Sequence, residues 1–398
     1  MRKDPCMSAQ PNAKVFLPAA PPPLTARRAR RGTRAHAVAS MLESVGWKPG
    51  AYVRNVPLGR LAGTPGERRQ HHHGARDDLV SYVLYARPGV PTAVVATVGA
   101  QHDPAKALQR ALRQAQRLDV PLAYATNGRD ILEHFAASRR TQPTPVFTTP
   151  TRAWRAFARY HGLRAQGADL LGQRFDQQAL ADAGADLPHA EAVALRYYQT
   201  VAMNRALTAY SNGAGSAAVQ IPAGAGATVT AMAFASKLLT NQLVRRPGEP
   251  LGLLYLDDRP QAMTGLGAVG TTARWGGRGE VFAALESVGR DAGRRAGGPV
   301  DLVVVNLAHG GAALDPETWT EALDRFPKAF HLGVVGSPPV AGWPIQERFG
   351  AAIYRYSRQH AVVDGWLPAG CGAANPELAA PDEADLAADL EAGGLSLP

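Results

Sequence analysis

Cysteine is almost missing from this 398-residue chain: there are two, Cys6 and Cys371, near opposite ends. Such a pair makes neither a disulfide framework nor a cysteine-built zinc site, and a reducing, cytoplasmic setting is expected. Long apolar runs are missing too. No stretch approaches the ~18 uninterrupted apolar residues that a membrane span requires, so no membrane partner is expected. The segment from Met1 through Pro23 has neither the apolar core of ~7–15 residues nor the cleavage pattern of a secretory signal, and Met7 is an alternative start. Acids are in deficit, 33 against 43 lysines and arginines, for a net charge of +10. That balance points to a polyanionic partner, nucleic acid first. A GC-rich coding sequence, which writes Arg, Ala, Gly and Pro freely, would give the same balance with no partner behind it.

What is present suffices for two or three domains, since 45% of the residues are hydrophobic and 19% charged, as in ordinary globular chains. Residues 1–33 combine Pro18, Pro21, Pro22 and Pro23 with Arg27, Arg28, Arg30 and Arg31, lack apolar periodicity, and read as a flexible basic tail. Residues 34–150 read as a small α/β domain. Its parts are a helix with Val38, Met41, Leu42 and Val45 on one face, a hairpin of Leu79 to Tyr85 and Pro91 to Val98, a helix from Ala105 to Leu118, and strands at Leu122 to Tyr124 and Ile131 to Phe135. Residues 151–189 form a helical, alanine-rich connector. Residues 190–370 open with a helix over Ala194 to Tyr210, then a strand (Ala217 to Ile221), a glycine-rich loop (Pro222 to Gly226) and a helix (Thr228 to Leu239). Strand, glycine loop, helix is a nucleotide-binding opening. Further strands at Leu251 to Leu256, Leu302 to Val305 and Leu332 to Val335 predict a doubly wound parallel sheet. Residues 371–398 are an acidic tail.

Ten short segments, in order from about Arg34 to Leu367, resemble the motor, or R, subunit of type I restriction enzymes. They include Leu42-Glu-Ser-Val-Gly-Trp47, Gln114-Ala115, Pro121-Leu-Ala-Tyr-Ala-Thr126-Asn127-Gly128, Leu195-Arg-Tyr-Tyr-Gln199, Pro222-Ala-Gly-Ala-Gly226-Ala-Thr228, Asp301-Leu-Val-Val-Val305 and Phe349-Gly-Ala-Ala-Ile-Tyr354. The resemblance implies a restriction-endonuclease-like domain of the Asp…Glu-x-Lys type, followed by the first of two RecA-like motor domains of the DEAD/DEAH helicase kind.

The charged positions of that chemistry are vacated. Nuclease action needs carboxylates to hold Mg²⁺ and a lysine beside the attacking water. The family's register puts the Asp at Ser81, the Glu at Ala96, the Lys at Val98 and a helix Tyr at Leu118. Asp77 and Asp78 lie upstream, out of register. In the phosphate loop, Gly224, Gly226 and Thr228 are kept but Ala227 stands where a lysine would neutralise phosphate. The Asp-Glu-x-His box reads Asn306-Leu307-Ala308-His309, the Ser/Thr-Ala-Thr element reads Gly336-Ser337-Pro338, and no counterpart of the second RecA-like domain follows. The resemblance therefore implies no catalytic residues, no bound Mg²⁺, and ATP or ADP held, if at all, with weakened affinity. Arg196, Tyr197 and Gln199 correspond to an adenine-reading element; a buried polar group on a helix is the competing reading of Gln199. His71-His72-His73 reads as a solvated loop rather than a metal site, His309 as a structural histidine, and Asp258-Arg259 as a surface ion pair or a residue pair near a DNA path. The acidic tail is a candidate cover for the face a second motor domain would occupy. Three functions follow: a catalytically silent scaffold or regulator that binds duplex DNA without sequence preference, with a protein partner as the other occupant; a non-hydrolysing ATP/ADP switch; and a residual ATP-dependent helicase or endonuclease.

Overall fold

The computed structural model describes residues 37–61, 79–172, 195–245, 251–257, 271–274, 280–286, 300–308, 316–336 and 344–368. The arginines of the N-terminal tail, His71 to His73, Asp77, Asp78, residues 173–194 of the connector, Asp258, Arg259, His309, Ser337, Pro338 and the acidic tail lie outside them. Residues Pro23–Trp366 form one compact unit; of the second unit, Met1–Pro22 with Leu367–Pro398, only Leu367 and Pro368 are described.

The first sheet follows the alternation of its sequence. Helix α1 (37–44) buries Val38 and Leu42, and Gly46, at φ 97°, ends it so that Trp47 turns back into the same core. Strands β1 (Tyr52–Pro57), β2 (Leu79–Arg87) and β3 (Val90–Thr97) pair antiparallel, the β2–β3 turn passing through Gly89 at φ 70°. Helix α2 (Ala105–Leu118) then crosses over to β4 (Leu122–Thr126), which pairs parallel with β3; β5 (Ile131–Phe135) and β6 (Arg140–Thr144) close the order β1-β2-β3-β4-β5-β6. Tyr82, Leu84, Ala93 and Val95 face the core shared with α1, Phe147 and Ala153. Residues of opposite parity, among them Ser81 and Ala96, face α2, as the period of two requires.

Helices α3 (Pro150–Tyr160) and α4 (Ala165–Gly172) lead toward α5 (Tyr197–Ser211). The second sheet comprises β7 (Ser216–Gln220), then, after α6 (Ala227–Arg245), β8 (Leu251–Asp257), β9 (Thr271–Arg274), β10 (Glu280–Glu286), β11 (Leu302–Leu307), β12 (Phe330–Val335) and β13 (Ala352–Arg355); α7 (Pro316–Arg325), α8 (Ile345–Phe349) and α9 (Arg358–Val363) complete the described helices. Its order is β13-β7-β12-β11-β8-β10-β9, parallel throughout except for β9 on β10. Leu254, Leu256, Val303 and Val305 pack with Trp319 and Leu323 of α7, whereas α6 packs against β8, β11 and β12. The chain is thus α/β: a small restriction-endonuclease-like sheet followed by a RecA-like doubly wound one.

Sequence periodicity leaves β1, β6, β9, β10 and β13 unanticipated. The case of β6 shows why. Its Arg-Thr-Gln-Pro-Thr has no apolar alternation and is exposed over its first four residues, and Pro143 fits only because this is an edge strand. Helix α5 starts at Tyr197, with Arg196 as N-cap, three residues later than its periodicity suggests. Helix α6 runs six residues beyond Leu239.

Candidate functional site

Two sites implied by the resemblance are built by the crossovers β3-α2-β4 and β7-loop-α6, each at the carboxyl end of a strand.

At the first, Ser81 and Ala96 sit side by side on the α2 face of β2 and β3. The pairing of Tyr82 with Val95 carries on to this pair. Ser81 Oγ lies 3.1 Å from Thr97 Oγ1 and accepts the Thr97 backbone N–H at 3.1 Å. Ala96 is fully buried. The Val98 backbone N–H donates to Thr126 O at 2.9 Å, continuing the pairing with β4. From α2, Arg110 NH2 donates to Thr97 O at 2.8 Å and Gln114 Nε2 donates to Leu79 O at 3.2 Å. Leu118, in the place of the helix tyrosine, is 1% exposed in the core. The positions of the three charged residues are therefore together in space, but neutral and internally bonded.

At the second, Gly224 (φ 80°) and Gly226 (φ 86°) shape the loop between β7 and α6, and both lie in the region where L side chains are strained. Ala227 opens α6 with its methyl buried. The loop is held from α5. Tyr198 Oη donates to Ala225 O at 2.6 Å, and Gln199 Nε2 donates to Ala225 O and Gly226 O at 3.3 Å each. Gln199 Oε1 accepts the Arg196 N–H at 2.8 Å, so the whole amide is engaged in the protein and 3% exposed. A Cβ on Gly226 would come within 2.3 Å of Gln199 Nε2. Gln199 thereby ties α5 to the loop.

Tyr197 looks the other way, and Arg196 lies between, its NH1 donating to Tyr198 Oη at 2.9 Å. Tyr197 Oη donates to Asp364 Oδ2 at 2.7 Å and accepts from Arg117 at 2.8 Å, while the Arg196 guanidinium lies 3.5 Å from the centre of the Trp366 ring. Tyr198 stacks on Tyr356 with ring centres 3.7 Å apart.

Asn306, at the tip of β11 and fully buried, donates Nδ2 to Thr228 Oγ1 at 3.1 Å and to Tyr255 Oη at 3.1 Å; its Oδ1 accepts the Ala308 N–H at 3.3 Å. Leu307 packs instead in the core with Val305, Trp319 and Phe349. The divalent cation implied by the resemblance does not fit these residues. An amide N–H, not a carboxylate, faces the threonine hydroxyl, and among the described residues no group of three His, Cys, Asp or Glu is placed to hold a metal. The loop turns through positive φ at Gly224 and Gly226, and Ala227 supplies no side-chain cation.

Sequence reasoning missed Arg110, Thr97, Tyr255 and Asp364. Asp364 is legible only in three dimensions, because its carboxylate gathers Arg117 from α2, Tyr197 from α5 and the Tyr356 hydroxyl at 2.7 Å. Arg110 carries a signal that was available: it lies four residues after Lys106 and three before Arg113 on an acid-free helix.

No protein-family profile matches the chain. In an alignment of 314 positions that covers 72% of the chain, it is 26% identical to the type I restriction enzyme EcoAI endonuclease subunit of Escherichia coli, of whose length it spans 36%. A solved fragment assigned to the HsdR subunit of a type I restriction enzyme from Vibrio vulnificus YJ016 superposes with a TM-score of 0.61 at 23% identity, covering 82% of this chain and 59% of that one. Among the described residues no helix is long and apolar enough to cross a membrane. In sequence over most of its length, and in fold, the chain resembles the R subunit of type I restriction enzymes.

Proposed function

We propose that this chain is a catalytically silent relative of the restriction-enzyme motor subunit, a cytoplasmic scaffold or regulator that binds duplex DNA through its phosphates. Residues 34–150 and 190–370 are its two working domains. One observation carries the reading: at both vacated sites the neutral substitute has found a partner inside the protein, Ser81 with Thr97 and Asn306 with Thr228 and Tyr255. A site awaiting a metal would keep acids whose mutual repulsion only the cation relieves. These sites are satisfied without one.

DNA as the partner is supported by the net charge and its distribution. Between residues 79 and 172 the chain carries twelve arginines and lysines against five acids. The arginines Arg152, Arg155 and Arg159 recur along the exposed side of α3. A non-hydrolysing ATP/ADP switch is the second reading, favoured by the order strand, glycine loop, helix over β7, Gly224, Gly226 and α6, which sets a loop backbone at a helix N-terminus.

Turnover tests both. With duplex DNA and Mg²⁺, ATP hydrolysis stays below ~0.01 s⁻¹, against ~1–1000 s⁻¹ for ordinary enzymes, and supercoiled plasmid is not nicked with Mg²⁺ or Mn²⁺. Hydrolysis or nicking that persists through repurification and titrates with the protein would sink the silent reading.

A further inference from the structure

The carboxyl end of β3 holds a cation of its own. Thr97 lies between Ala96 and Val98, the positions assigned to carboxylate and lysine, and its carbonyl accepts Arg110 NH2 at 2.8 Å while Ser81 bonds the same residue. Two buried polar atoms beside it have no partner in the protein, Arg110 Nε and Gln114 Oε1, one helical turn apart on α2. The helix carries Lys106, Arg110, Arg113 and Arg117 at spacings of four, three and four, which puts all of them along one side, and it contains no acid. Lys106 and Arg113 are exposed and Arg110 is half-buried. Arg117 is spent on Asp364 and Tyr197.

We propose that Arg110 takes the place of a divalent cation at the carboxyl end of β3, so that the nuclease-like face grips the phosphodiester backbone of duplex DNA without metal, Lys106 and Arg113 extending the contact. This rests on the DNA-binding reading above. Removing two carboxylates removes their repulsion toward phosphate, and a guanidinium whose NH2 is anchored on Thr97 O still offers phosphate a charge-assisted donor. It has no coordinated water to acidify, so the gripped ester is not hydrolysed. A helix that wanted only to pack on β3 and β4 would not need a basic flank, because Ala107, Ala111, Ala115 and Leu118 already supply its buried face.

The test is anisotropy of a labelled duplex of ~30 base pairs at about 50 mM salt with the full-length chain, in Mg²⁺ and in EDTA. The expected result is equal affinity in the two buffers, a loss of about tenfold or more for Arg110→Ala, and partial recovery for Arg110→Lys. The double variant of the exposed pair, Lys106→Ala with Arg113→Ala, should weaken binding similarly at an unchanged melting temperature, which keeps the test decisive if Arg110→Ala folds poorly. Lys328→Ala, an exposed lysine after α7, is the charge control. Wild-type binding that Arg110→Ala lowers no more than Lys328→Ala does, or that EDTA abolishes, overturns this site and leaves DNA binding standing. No binding by the wild type in either buffer overturns the DNA-binding reading itself.

Discussion

Asn306 differs by one group from the aspartate that the restriction-subunit resemblance would put there, and that group bears on what the site accepts. Its amide donates to two hydroxyls, Thr228 and Tyr255, and both hydroxyls are equally able to donate to a carboxylate. Asn306→Asp should therefore fold, at a cost of about 3–5 kcal/mol for a fully buried charge that only hydrogen bonds compensate. The variant should gain what the wild type lacks. In melting experiments Mg²⁺ or Mn²⁺ should restore part of the lost stability of Asn306→Asp and leave the wild type unmoved. A wild type that Mn²⁺ stabilises, with the effect removed by Thr228→Val, would mean that the amide does not close the site. Ala227→Lys alone should not bring hydrolysis back, since neither Asn306 nor Leu307 supplies a carboxylate.

Helix α6 buries a lysine that no site uses. Lys237 is 4% exposed and donates Nζ to Leu171 O at 2.7 Å, near the end of α4. Burial brings its pKa down from 10.5 to about 7. Below about pH 7 the folded state must hold a buried ammonium, whereas above 10.5 both folded and unfolded chains are neutral at this position, so its penalty is full at low pH and fades as pH rises between the two values. Lys237→Met should raise stability by about 2–3 kcal/mol near pH 7, less near pH 9, and not at all near pH 10.5, measured by denaturant unfolding at each pH. A gain that does not shrink with pH would show that Lys237 is neutral throughout or that packing alone is responsible. The same element shows what was legible in the chain. The apolar strands Leu251–Asp257, Leu302–Leu307 and Phe330–Val335 and the amphipathic α2 announce themselves by run and period, and Gly224 and Gly226 by turn chemistry. The edge strands β6 and β13 do not: β6 is largely exposed, β13 has only four residues, and β13 takes its pairing from β7, far away in sequence. At the sites, the partners of Ser81, Gln199 and Asn306 depend on contacts across 16 to 78 residues, which no local pattern encodes.

Across the whole molecule, α2 ties the first sheet to the second through one buried carboxylate. Asp364, its side chain fully buried, receives Arg117 from α2 and the hydroxyls of Tyr197 and Tyr356, and a second bridge joins Asp119 at the end of α2 to Arg205 of α5 at 2.5 Å. Asp364→Asn leaves the Arg117 guanidinium without its countercharge and should lower the melting temperature by about 5–10 °C, since unpairing a buried ion pair costs about 3–5 kcal/mol. An unchanged melting temperature would mean that the hydroxyls alone hold the two sheets. The net charge of +10 makes a prediction of another kind. If duplex DNA is held by phosphate contacts from the arginines and lysines, each contact releases condensed counterions, so the logarithm of the binding constant should fall with the logarithm of salt at about 0.9 per phosphate. A handful of contacts would cost about 10³-fold between about 50 and 200 mM salt. Removing residues 1–33, with Arg27, Arg28, Arg30 and Arg31, should flatten that slope by the number of phosphates the tail touches, whereas changing the DNA sequence should leave it alone. A slope near zero, or one that changes with sequence but not with the tail, would mean that base edges or apolar contacts carry the affinity, and the basic composition would then have to be explained by the coding sequence rather than by a partner.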